Sequence, residues 1–118
     1  MACDIVGKQG GLITVRISGL LKWAEFAQTE KAAIEAMRAG GKVRFLILTE
    51  NFQGWDSKGD WGGLLMQTRY DEQIEKIAIV GEARWQELVE VFAGKGLRSV
   101  EIRYFTPLQA ALAKAWVA

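Results

Sequence analysis

Two places in this sequence have residue types and spacing suited to chemistry. The first is the run Glu50–Trp61, which gathers Glu50, Asn51, Asp56, Ser57, Lys58 and Asp60 around Phe52, Trp55 and Trp61. Carboxylates and a lysine supply acid, base and anion-orienting groups. The three rings supply walls for a concave apolar site. Asp56 and Asp60 form a carboxylate pair, but acid–base use needs environments that separate their pKa values. A magnesium site would need more oxygen ligands, so capping and hydration explain this pair more simply. The second place is Glu30, seven positions after Trp23 and four after Phe26. On a helix that spacing sets a carboxylate near the centre of an apolar arc, which is costly unless it is paired or hydrogen-bonded. Glu30 therefore meets a Lys or Arg from the sheet, reaches solvent beside its helix, or lines a cavity.

What is missing narrows the chemistry further. Histidine is absent, which removes the Ser-His-Asp triad, the Cys-His dyad and His-containing metal sites. Cys3 is alone, so an intrachain disulfide and a thiolate-rich zinc site are excluded. Its place near the N-terminus suggests an accessible thiol with no evident activator. Neither a Walker A run nor a GxGxxG turn is present, and Gly7-Lys8-Gln9-Gly10-Gly11 joins two strands instead of opening a helix. No catalytic residue, metal or cofactor is assigned. The candidate ligand- or partner-binding residues are Glu30, Phe52, Trp55, Asp56, Ser57 and Trp61.

The chain has 118 residues, half of them hydrophobic, with a formal net charge of +1. That length suits one domain, residues 1–118, with enough apolar area for a real core. Nucleic-acid binding needs clustered positive charge, and pairs such as Lys42/Arg44 and Arg98/Arg103 are dispersed; no nucleic-acid partner is expected. The first residues lack a basic segment followed by a long apolar core, so they do not read as a signal peptide. The apolar stretches are strand-sized, far below the roughly 20 residues of a membrane-spanning helix. Cytoplasmic location is the default reading.

The elements that must position these residues follow from periodicity. Asp4–Lys8 and Leu12–Ser18 flank Gln9-Gly10-Gly11 as a β-hairpin, and Ile13, Val15 and Ile17 alternate with polar residues to give one buried face. Lys22–Ala39 is Ala-rich and helical, with Trp23, Phe26, Ile34 and Met37 on one arc and Gly40-Gly41 as its stop. Val43–Leu48, reading VRFLIL, has the near-continuous apolar character of a central strand. After the polar loop come a helix from about Asp60 or Trp61 to Tyr70, a strand at Lys76–Val80 and a helix at Ala83–Phe92 with Trp85, Leu88, Val89 and Phe92 inward. A strand at Ser99–Phe105 precedes the last helix. Thr106 caps that helix, Pro107 is its first residue, Gln109 completes a capping box, and Leu108, Ala111, Leu112, Ala115 and Trp116 form its apolar face. The fold class is α/β: a single-domain mixed, mostly parallel sheet with an N-terminal hairpin and right-handed crossover helices. The loop Glu50–Trp61 then lies beyond the C-terminal end of the central strand, where open α/β sheets place ligands.

Several strings, in this order, resemble the SpoIIAA-like proteins, a STAS-like family of small α/β domains. They are Gly19 with Trp23–Phe26, Lys42–Leu48 with Phe52-Gln-Gly-Trp55, Ile74–Gly81, Trp85, and Glu101–Phe105 before the final helix. The resemblance implies a mixed sheet with crossover helices and a non-enzymatic binding or interaction role, for a small apolar or lipid-like ligand or for a protein partner. Asp56-Ser57-Lys58-Gly59 also looks like the segment that carries the regulatory phosphorylated Ser of anti-sigma factor antagonists. An alternative is therefore an interaction module switched at Ser57, where phosphate would add charge near a helix N-terminus. Another is a small enzyme using Glu30, Glu50, Asp56 or Asp60 in a cavity, with Lys58 or Arg69 orienting an anionic substrate. Membrane association through an exposed aromatic loop and homo-oligomer formation through edge strands are further readings of the same features.

Overall fold

A computed structural model of the protein describes residues 3–38, 41–56, 72–93 and 100–118. Its centre is one five-stranded sheet: β1 (Cys3–Gln9), β2 (Leu12–Ser18), β3 (Val43–Glu50), β4 (Ile74–Val80) and β5 (Glu101–Phe105), in the spatial order 1-2-3-4-5. β1 and β2 are antiparallel and every later pairing is parallel, as the sequence predicts. Gly10 and Gly11 both take positive φ, 57° and 83°, which is what a tight two-residue hairpin turn demands. A bulge between Ile5 and Gly7 interrupts the hairpin register.

Alternation on the strands divides the sheet into two faces. Phe45 and Ile47 on β3 and Ile77 and Ile79 on β4 join one core cluster, with Ile13, Val15 and Ile17 of β2 and Ile102 of β5. Leu46 and Leu48, with Ala78 and Val80, join the other. β3 and β4 are thus apolar on both sides, which is why VRFLIL shows no alternation in sequence. The first face is covered by α1 (Trp23–Met37) and α2 (Gln86–Ala93). The second is covered by α3 (Ala110–Val117), which packs on β3, β4 and β5. No helix among the described residues is long and apolar enough to cross a membrane.

Several local expectations need correction. Cys3 is fully buried and pairs opposite Ile17 in the hairpin, so its thiol is not accessible. Burial pushes that thiol's pKa up. The α3 face also differs. Ala113 and Val117 are buried while Leu108 is 99% and Leu112 59% exposed, because the small side chain of Ala113 faces Ala78 and lets the helix sit close to the sheet. Ala111 and Ala115 are exposed with them. On α2, Val89 is buried but Leu88 is exposed. The turn into α3 does follow its capping signal: a 3-10 turn spans Pro107–Gln109, and the Gln109 side chain accepts the Thr106 N–H at 3.1 Å. The helix expected up to Tyr70 lies outside the described residues.

Candidate functional site

The site grows from the ends of β2 and β3, which continue beside each other past the sheet. The Gly19 N–H donates to the Glu50 carbonyl at 3.2 Å, and the Gln53 N–H donates to the Gly19 carbonyl at 3.0 Å. The Leu21 N–H donates to the Gly54 carbonyl and the Asp56 N–H to the Leu21 carbonyl, each at 2.9 Å. Leu21 and Trp55 thereby form a parallel bridge. This lacing fixes the loop after β3 against the entry to α1 and turns its rings inward. Phe52 is 4% exposed and Trp55 is half-buried, so neither ring is displayed as an outward patch.

Gly54 permits the arrangement. Its φ is +96°, and a Cβ there would lie 3.2 Å from Cη2 of Trp85. With no side chain at Gly54, the Trp85 indole closes over the loop and stacks edge-on to Phe52 at 5.0 Å and to Trp55 at 6.2 Å between ring centroids. Phe52 meets Trp55 at 5.0 Å, Trp55 meets Phe92 of α2 at 5.2 Å, and Phe92 meets Phe26 of α1 at 5.5 Å. Edge-to-face aromatic pairs add to their area burial, so five rings from the loop after β3, the 3-10 turn Ala83–Trp85, α1 and α2 brace one another.

Beneath this brace, between α1, α2 and the first face of the sheet, lies a cavity of about 160 Å³. Its floor is the parallel register itself: Val15 beside Ile47, Ile47 beside Ile79, and Ile17 beside Thr49. One stripe of α1, comprising Phe26, Thr29, Glu30, Ala33 and Met37, forms a wall, and Phe92 and Ala93 of α2 form another. The space exists because facing positions are small: Thr29 and Ala33 on α1, and Ala93 on α2. The Thr29 hydroxyl is turned away to the Cys3 carbonyl, to which it donates at 2.9 Å. The Thr49 hydroxyl donates to the Val80 carbonyl at 2.8 Å. Both lining hydroxyls are thus occupied by backbone, and the lining presents mostly carbon.

At the C-terminal ends of β3, β4 and β5 the hydroxyls of Thr49 and Tyr104 close around Gly81, where a Cβ would meet each oxygen at 2.5 Å. Tyr104 donates to the Glu82 carbonyl at 2.7 Å. Burial, reinforced by the carboxylates of Glu82 and Glu90, pushes its pKa up to about 12. This cluster seals the sheet's end next to the cavity.

Of the residues singled out in sequence, Glu30, Phe52 and Trp55 converge on the cavity. Asp56 is half-buried and Glu50 exposed, and neither is among the described lining residues. Ser57, Lys58, Asp60, Trp61 and Arg69 lie outside the described residues. Glu30 is therefore the one carboxylate among the described residues that lines the cavity, and no group of three or more Cys, Asp or Glu side chains among them could hold a metal ion. Sequence reasoning assigned Phe26, Trp85 and Phe92 to the core and missed them as parts of the site. Their spacing on α1, and on α2 with the 3-10 turn Ala83–Trp85 that leads into it, showed an inward face, but not that the face stops short of the sheet.

Comparison with known proteins agrees with this architecture. The chain is similar over its whole sheet to the crystal structure of an uncharacterized protein of the DUF3478 family with a SpoIIAA-like fold from Shewanella loihica PV-4. The TM-score is 0.73 at 18% sequence identity, covering 99% of this chain and 93% of that one. No curated protein matches the chain. The family model described as SpoIIAA-like matches residues 12–118, a span that holds β2 to β5, the three described α-helices and every described wall of the cavity except Cys3; the chain belongs to the SpoIIAA-like family.

Proposed function

We propose that this protein is a binding domain for a small apolar molecule, held between α1, α2 and the sheet. The observation that carries the reading is the cavity of about 160 Å³ with its carbon-rich lining. Protein interiors are normally close-packed, and a void of this size sacrifices dispersion contacts. An apolar cavity of about 150 Å³ is known to take up benzene or xenon, whereas sites for drug-sized ligands run to about 300–1,000 Å³. The volume thus favours a ligand of about one ring over a lipid-like one. Glu30 on the α1 wall and the ring brace above give the ligand one polar side and one aromatic side.

Thermal unfolding with ethylbenzene tests this. A ligand that binds only the folded state at ten times its Kd stabilises by about 1.4 kcal/mol, which is a rise of about 5 °C in Tm for a chain of this length. Ala33→Leu places three more carbons in the cavity and should abolish the rise. A wild-type Tm indifferent to ethylbenzene, or an equal rise in Ala33→Leu, contradicts the proposal.

A further inference from the structure

The stripe of the last helix that sequence reading places in the core faces solvent instead. Leu108 is 99% and Leu112 59% exposed, Ala111 and Ala115 are exposed with them, and the four fall at helical spacing on one line along the 3-10 turn and α3. The opposite side of the helix is apolar too, with Ala113 and Val117 buried on the sheet. Gln109 and Lys114 are the only polar side chains from Pro107 to Ala118. A helix that is apolar all round is ordinarily buried all round. Scattered exposed leucines need no explanation, whereas a contiguous apolar stripe with a polar rim marks an interaction surface. This stripe lies across the sheet from the cavity, so it is separate from the ligand site.

The order of side chains along the stripe selects the partner. Large and small alternate as Leu108, Ala111, Leu112 and Ala115. When the stripe is laid antiparallel on a second copy, about a two-fold axis between residues 111 and 112, Leu108 of one copy comes level with Ala115 of the other, and Leu112 with Ala111. Each leucine then meets an alanine, a large-against-small fit that lets two helices approach closely. A stripe that complements itself is what a two-fold interface requires. Charge agrees with the same arrangement. Antiparallel packing displaces the two Lys114 ammonium groups along the axis by about 7.5 Å, whereas a parallel pair sets them side by side, which is repulsive. A membrane surface suits the stripe less well. Interfacial helices carry several basic residues on one face and bulky side chains on the other, and here half the stripe is alanine beside a single lysine.

We propose that α3 is the contact surface of a homodimer, in which two copies pack antiparallel along Leu108, Ala111, Leu112 and Ala115. Four side chains present less than the roughly 800 Å² per partner of a standard interface. The dimer is therefore weak and reversible, with a Kd of about 10–500 µM.

Sedimentation equilibrium of the full chain from about 10 µM to about 1 mM, a range that brackets this Kd, provides the test. The weight-average mass should climb from 13.1 kDa towards twice that value. Leu108→Lys and Ala115→Glu each set a charge into the stripe and should weaken self-association by at least about a hundredfold. Mixed in equal amounts, the two variants should associate again. The antiparallel register sets one substituted position against the other and leaves a native leucine–alanine contact at the far end. Both positions are exposed, so each variant should keep its Tm within about 4 °C of the wild type. Amide NMR signals of the wild type provide a readout that needs no variant: those that shift with concentration should centre on Leu108–Ala115. A chain that is monomeric at the top of the range overturns the proposal, including one that instead co-sediments with anionic lipid vesicles. So does a dimer that survives either substitution, a pair of variants that fails to associate when mixed, or a set of shifts centred on β1 at the sheet edge.

Discussion

Gly54→Ala tests how the loop after β3 is held, and the structure supplies its own control. Gly54 has φ +96° with a Cβ position 3.2 Å from Trp85, while Gly41 has φ +86° with nothing within 4 Å. Both substitutions force an L-residue into left-handed backbone, at about 1–2 kcal/mol each. Only Gly54→Ala also drives a methyl into an indole, and that indole has little room to retreat. It is packed on Phe52 at 5.0 Å and Trp55 at 6.2 Å, with the Arg84 guanidinium 5.4 Å from its ring centroid. Overpacking of this kind costs about 1–3 kcal/mol. Gly54→Ala should therefore lose about 2–5 kcal/mol, or about 8–20 °C in Tm, against about 1–2 kcal/mol for Gly41→Ala. Urea unfolding followed by tryptophan fluorescence measures both. In a Trp85→Leu background the excess should vanish, leaving Gly54→Ala as costly as Gly41→Ala. Equal losses for the two glycines in the wild-type background would refute the claim that Trp85 closes on Gly54.

Two further outcomes follow from titratable groups, half-buried Tyr104 and buried Cys3. Tyr104 keeps its proton in the folded state up to about 12 but releases it near 10 when unfolded, so its contribution to stability is intact below pH 10 and is lost as the pH rises towards 12. Urea midpoints should fall more steeply over that window in the wild type than in Tyr104→Phe; parallel slopes would show that Tyr104 is not the responsible group. Cys3 is fully buried, with its pKa raised chiefly by burial. Ellman's reagent should accordingly react orders of magnitude more slowly with the native chain than with the chain in urea. A native rate matching the unfolded one would mean that β1 opens without global unfolding.

The sheet was legible because its signals are local. Ile13, Val15 and Ile17 alternate on a strand with one core face; VRFLIL does not alternate because helices cover both faces; Gly10-Gly11 supplies the two positive φ values of the turn. The capping box at Thr106 and Gln109 likewise involves neighbours in sequence. Helix faces were harder to read. In α3 almost every residue is Ala or larger and apolar, so two stripes compete, and the Ala113–Val117 stripe is buried because small side chains allow closer approach to Ala78. Large residues at Leu108 and Leu112 would hold the helix further out.

Half of the candidate site was visible. Glu30 stood out because a carboxylate interrupts an apolar arc, and Phe52 and Trp55 because rings accompany polar groups beyond a central strand. The cavity itself was not visible, since it is a deficit of volume summed over Thr29, Ala33 and Ala93, positions about sixty residues apart that only the fold brings face to face. No periodicity reports missing methyl groups. The inward turn of the loop depends on backbone hydrogen bonds between residues 19–21 and 50–56, which side-chain patterns do not encode. The pairing of Trp85 with Gly54 was equally hidden, although both residues were noticed separately.

Diffraction from a crystal of the full chain pressurised with xenon examines most directly whether the space beneath the aromatic brace can hold an apolar guest. One xenon atom should appear against Ile47, Trp55 and Phe92, with the side chains around it unmoved. Xenon absent from that space, or present there equally in Ala33→Leu, would contradict the account.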